Sequence, residues 1–184
     1  MNGPDNQRIH DLLRKHAVEV VMAGDTHDFE FYKEPYESAG AARSMYHFVN
    51  GGGGAYLSIG TALDWPKKLP VEECGFYPRA DALVAKLDEQ TPAWKRPLWY
   101  WVKHWHAWPS SPEGVASAFD YNRAPFFQSF MAVHVEGSAK RVRLWLYGAN
   151  GRLRWRDLHV QARIPGGQAL DDFVEFSFAL QATR

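Results

Sequence analysis

The sequence contains one cysteine, Cys74, in 184 residues, so it forms no internal disulfide and no cysteine-rich zinc site. Its apolar runs are only a few residues long, which excludes a transmembrane helix. Residues 1–20 carry charges throughout and lack the apolar core of a signal peptide. A cytoplasmic location is expected, with nothing in the chain that names the compartment. Neither charge is in excess. Lys+Arg 21 balance Asp+Glu 21, which argues against a dedicated nucleic-acid binder and gives no membrane signal. There is no internal repeat, and no low-complexity tract beyond four consecutive glycines at 51–54. Aromatic residues, by contrast, reach 15%, with Trp 8, and folding must bury them or use them as a surface. Hydrophobic residues at 46% and charged residues at 23% exclude wholesale disorder and suit one ordinary domain.

Charge is unevenly sorted. Residues 1–92 hold 9 Lys/Arg against 14 Asp/Glu, and residues 93–184 hold 12 against 7. An acidic front and a basic end either face one another or face different partners, and chance sorting of surface charge is the plain alternative.

Periodicity predicts an α+β chain. Ile9, Leu12, Leu13 and His16 share one face of a helix over 5–16, with Asp5 as N-cap. The apolar run 18–22 then reads as a buried strand that stops at Gly24. Further strands are expected at 29–32, 46–49 and 55–59, and 62–78 reads as an irregular connection with Pro66, Pro70 and Pro78. Helices are expected over 79–90 and through the tryptophan-rich stretch 94–108. From 126 onward alternation predicts strands at 126–136, 141–147, 153–163 and 173–180. The expected divisions are a front segment 1–78, a helical tryptophan-rich connection 79–125 and an antiparallel β region 126–184.

The loop after the first strand carries the sharpest chemical signal. Asp25 and His27 are two apart at a strand tip, so in extended backbone both side chains leave on one side. A carboxylate and an imidazole aimed together suit a divalent metal, although two donors fall short of the four to six such an ion takes. On spacing alone, a capped turn with a polar His27 explains the same residues more economically.

The run 20–32 (VVMAGDTHDFEFY) resembles the last metal motif of the calcineurin-like metallophosphoesterases, usually Gly-His-x-His at a strand end. The run 47–55 (HFVNGGGGA) resembles the strand and glycine-rich turn that follow it in that family. The resemblance covers about residues 5–62. It implies that His27 is a metal ligand, with Asp25 standing where the family usually has its other histidine, a change that favours harder ions. It implies Mn, Fe or Zn ions in an intact enzyme and a strand-and-helix sandwich. None of the family's earlier motifs lies ahead of residue 20, and its Gly-Asn-His-Asp/Glu motif does not occur. The expectation is therefore the carboxyl-terminal half of a phosphoesterase, with no catalytic residue of its own and no metal firmly held. Its implied partner is the missing amino-terminal half of the same protein. Apolar surface left open by that half predicts self-association.

Three other patterns invite a role. Gly51, Gly52, Gly53 and Gly54 can cradle a phosphate through backbone N–H groups, or serve as a flexible turn. A two-residue turn near 149–151 would place Arg141, Arg143, Trp145 and Tyr147 on one face with Arg152, Arg154 and Arg156. That face suits anionic groups or an acidic partner, and equally suits the solvent side of an edge hairpin. Val142, Leu144, Leu146, Leu153 and Trp155 would then point to the core. Cys74, beside Glu72 and Glu73, is expected to have a raised pKa and no nucleophilic role. Two function classes result: part of a metal-dependent phosphoesterase, or a non-catalytic binding module that uses aromatic and arginine surfaces.

Overall fold

The structure, a computed structural model, describes residues 4–24, 28–53, 73–79, 81–82, 85, 89, 92–95, 97, 128–161 and 163–179. Helix α1 (Pro4–Lys15) begins on a proline, whose missing N–H costs nothing in a first turn, and ends on Arg14 and Lys15. Ala17, at φ 50°, caps its carboxyl end. Among the described residues, nine strands follow. They are β1 (Val20–Ala23), β2 (Phe29–Ser38), β3 (Ala41–Asn50), β4 (Glu73–Tyr77), β5 (Ser129–Glu136), β6 (Arg141–Gly148), β7 (Gly151–Arg152), β8 (His159–Gln161) and β9 (Glu175–Ala179).

They form two sheets. The first has the order β1-β3-β2-β4-β8, with β1 parallel to β3 and the other pairs antiparallel. The second has β6 between β5 on one side and β7 and β9 on the other. The fold is α+β.

Alternation puts Phe29 and Phe31 of β2 on the face that meets the second sheet, together with Phe48 of β3. Opposite them stand Leu144 and Leu146 of β6 and Phe176 of β9, closed in by Trp155, Leu158 and Val174. Phe176 is the hub. Its ring lies 5.0 Å from Phe31, 4.8 Å from Phe48 and 5.4 Å from Trp155, each edge-on. Edge-to-face packing suits the aromatic quadrupole, and each fully buried ring contributes about 1.5–3 kcal/mol of transfer free energy. Buried Trp155 keeps its polar atom satisfied by donating from Nε1 to Gln168 at 2.9 Å. Front and end segments thus share one core. The acidic front also meets the basic end directly, with Arg163 Nε 2.6 Å from the buried Glu73 carboxylate.

Several expectations need correction. The stretch read as an irregular connection over 62–78 contains β4, five buried residues between β2 and β8. Strands β2 and β3 have ten residues each where four were predicted, and they meet in a tight hairpin at Ala39-Gly40, both at positive φ. Pro35 lies beyond Lys33, where the β4 pairing ends among the described residues, so its missing N–H interrupts no described ladder bond. The strand expected at 153–163 is broken by a 3-10 turn at Trp155–Asp157, where Asp157 accepts from the Arg154 N–H at 2.7 Å. The chain then crosses to the other sheet as β8. Asp5 lies inside the first turn of α1 and not at its N-cap position. The strand expected at 55–59 lies outside the described residues, as do most of the helices expected over 79–90 and 94–108.

Candidate functional site

Strands β1 and β3 run parallel, with Ala23 opposite Val49. Both therefore end at the same edge of the first sheet. The chain leaves β1 through Gly24, where a Cβ would stand 3.5 Å from the Asn50 carbonyl oxygen. It returns as β2 with Phe29 paired to Asn50, and the Gly51 N–H donates to the Asp28 carbonyl at 3.2 Å. The two segments that carry the family resemblance are thus neighbours at one sheet edge, at the carboxyl ends of parallel strands where ligands commonly sit in α/β sheets.

Asp25, His27 and Gly54 lie outside the described residues. Of the other glycines, Gly51 spends its N–H on Asp28 and is not free to cradle a phosphate. Gly52 is buried against β5, where any Cβ would stand 2.6 Å from Ser129 Oγ and 3.1 Å from its backbone nitrogen. Its glycine is accounted for by close packing. Gly53 is exposed, with open space at its Cβ position.

Two buried carboxylates at this edge were missed from sequence. Asp28 is 1% exposed and Glu30 2%. Glu30 accepts a hydrogen bond from the Tyr32 hydroxyl two residues along the same face of β2. The alternation Asp28, Glu30, Tyr32, Glu34 was their only sequence signal.

A second cluster lies farther along that face, where α1 meets the sheet. Glu34 of β2 takes Arg14 of α1 on Oε1, with Nε at 3.1 Å and Nη2 closer still. Its Oε2 lies 2.8 Å from His47 Nε2 and 3.5 Å from His10 Nδ1. The imidazole rings of His10 and His47 are 5.5 Å apart, centre to centre. Burial pushes the Glu34 carboxyl up, but the bonds from Arg14 and His47 outweigh it and hold it below the ordinary carboxylate value. The same contact to Glu34 raises the Arg14 guanidinium. The helix is turned so that His10 and Arg14 face the sheet, while Ile9 and Leu12, expected on its buried face, stay 55% and 49% exposed.

The outer face of the second sheet carries Arg141, Arg143, Trp145 and Tyr147 as the alternation predicts, with Arg152 paired to Tyr147. Phe130 stacks on Tyr147 at 4.8 Å and His134 on Trp145 at 5.6 Å. The guanidinium of Arg152 lies 4.7 Å and that of Arg154 4.4 Å from the Phe173 ring. Most of this positive charge is already answered. Arg143 is near Glu136 and Glu175, Arg152 near Glu175, and Arg156 binds Asp171 at 2.7 Å. Arg156 also leaves the expected face, because the 3-10 turn ends the alternation before it. Cys74 is buried, and burial raises its thiol pKa, where the neighbouring glutamates were expected to.

No described helix is long and apolar enough to cross a membrane. No protein-family model, no curated protein and no solved structure matches this chain.

Proposed function

We propose that this chain contributes the Asp25–His27 portion of a metal-dependent phosphoesterase, a hydrolase of phosphate mono- or diesters. The observation that supports the reading is the parallel pairing of β1 with β3. It brings the 20–32 and 47–55 segments, far apart in kind, to one sheet edge beside buried Asp28 and Glu30. A carboxylate and an imidazole match the donor preferences of a divalent cation, and further ligands must join them to complete its coordination. When bound, such an ion activates water and neutralises phosphate charge. The chain's own part is to bring Gly24 and Asp28, which flank that loop, beside Asn50 and Gly51 at the end of β3.

Mn²⁺ binding, followed by electron paramagnetic resonance, tests this in a chain that already carries His10→Ala and His47→Ala. Weak binding that vanishes with His27→Ala is expected, together with no turnover of a model phosphodiester by the chain alone. Mn²⁺ binding indifferent to both Asp25→Ala and His27→Ala would overturn the reading.

A second reading, a binding module, is favoured by the outer face of the second sheet. Phe130 is 56% exposed although it is stacked on Tyr147, and Phe173 is 41% exposed beneath two guanidinium groups. Planar apolar or anionic groups would find aromatic rungs there, with exposed Arg141 adding positive charge.

A further inference from the structure

We propose that His10, Glu34 and His47 form a zinc site, separate from the Asp25–His27 loop, which staples α1 to the first sheet. Their donor atoms all lie within 4.8 Å of one another. Glu34 Oε2 is already 2.8 Å from His47 Nε2 and 3.5 Å from His10 Nδ1. Around a tetrahedral zinc with bonds of about 2.1 Å, ligand atoms stand about 3.4 Å apart. Both Glu34–histidine separations lie near that value and the two imidazole nitrogens stand within 4.8 Å of one another, so seating one ion asks for side-chain adjustment within the cluster. Two imidazole nitrogens and one carboxylate oxygen are a donor set that Zn²⁺ takes with a fourth position left to water.

Arg14 strengthens the assignment. By holding Oε1 of Glu34 through Nε and Nη2, it leaves Oε2 turned toward both histidines, as a supporting group orients a ligating carboxylate. Arg14 also brings an unfavourable positive charge, tempered by Asp11 at 3.8 Å.

The site has a structural purpose that the fold supplies. Its ligands come from α1, β2 and β3, none of which carries a cysteine that could cross-link them. Ile9 and Leu12 of α1 remain exposed, so apolar burial holds this helix weakly. An ion bound only by the docked arrangement stabilises it by mass action.

The test uses the full chain with Zn²⁺ in calorimetric titration and Co²⁺ as a spectroscopic substitute. One zinc per chain is expected, with the intense visible bands of four-coordinate cobalt and a rise in Tm on adding zinc. His10→Ala, at a half-buried helical position where alanine is a good helix former, should weaken binding at least tenfold and abolish the Tm rise. His47→Ala should do the same, and His159→Ala, at an exposed position on β8, should leave both unchanged. Wild-type affinity in His10→Ala and His47→Ala, a six-coordinate cobalt spectrum, or loss of binding only in His27→Ala would each overturn the proposal. The last outcome would place the ion in the loop and leave the phosphoesterase reading standing.

Discussion

Phe31 lies across Gly75, its partner in the β2–β4 ladder, so closely that a Cβ at residue 75 would overlap the Phe31 ring. The same Cβ would also stand 3.2 Å from the His159 carbonyl of β8. Phe31 is fully buried and pinned by Phe176 and Trp155, so it has nowhere to retreat. Gly75→Ala should therefore destabilise the protein by about 1–3 kcal/mol, the range for an overpacked core. Urea unfolding measures it. A midpoint within error of the parent would show that the Phe31 side of the sandwich yields more easily than this packing implies.

The β2–β3 hairpin turns on Ala39 at φ 52° and Gly40 at φ 74°, the two-residue pattern that favours Asn-Gly. Alanine is strained in that left-handed region. Ala39→Asn should raise stability by about 0.5–1 kcal/mol, seen as a higher Tm in calorimetry. A neutral or negative change would mean that the turn differs from this pairing.

Burial, with Asp157 nearby, pushes the Tyr77 phenol up from 10 to about 12. The folded state then keeps its proton while the unfolded chain releases it, so stability falls as pH rises from about 10 toward 12. The full loss would be about 2–3 kcal/mol. Urea midpoints at pH 8 and 11 should drop less in Tyr77→Phe than in the parent. Equal drops in both would place the alkaline sensitivity elsewhere.

Strand β5 pairs with β6 on one side only among the described strands, and it exposes Phe130, Val133 and Val135. A half-paired edge with apolar side chains invites a second chain. Sedimentation velocity should show concentration-dependent association, reduced by combining Val133→Lys with Val135→Lys. Little effect of salt is expected if the contact is apolar, and a large one if the acidic front meets the basic end between chains. A monomer at every concentration would remove self-association from this protein's properties.

Much of the second sheet was readable from alternation. Val142, Leu144, Leu146, Leu153 and Trp155 reach the core, and the outward arginines and aromatics of β6 follow from the same period of two. The reach of α1 was also legible from its local periodicity, but the apolar run at 18–22 forms β1 as the outermost described strand of the first sheet, half-buried at Val20 and Val21 and exposed at Met22 and Ala23, and not as the buried strand expected. β4 was not legible. Prolines and paired glutamates disguised a stretch whose every residue is buried, and Glu73 can be buried only because Lys33 and Arg163 come to it from elsewhere.

The candidate sites divide in the same way. Asp25 and His27 stand two apart and the four glycines are consecutive, so each of these patterns could be read locally. His10, Glu34 and His47 are separated by 24 and 13 positions, on a helix and two strands. Nothing in their spacing joins them. Two decisions of the tertiary structure do: the register that sets Tyr32 opposite His47, leaving Glu34 diagonal to it, and the rotation of α1 that turns His10 and Arg14 inward. The sequence by itself determined which segments alternate, which runs are apolar and where turns interrupt them, because these depend on residues within a few positions of each other. Register, the crossing of β8 to the first sheet and the meeting of the two histidines depend on contacts between distant segments, and those form only when the sandwich closes.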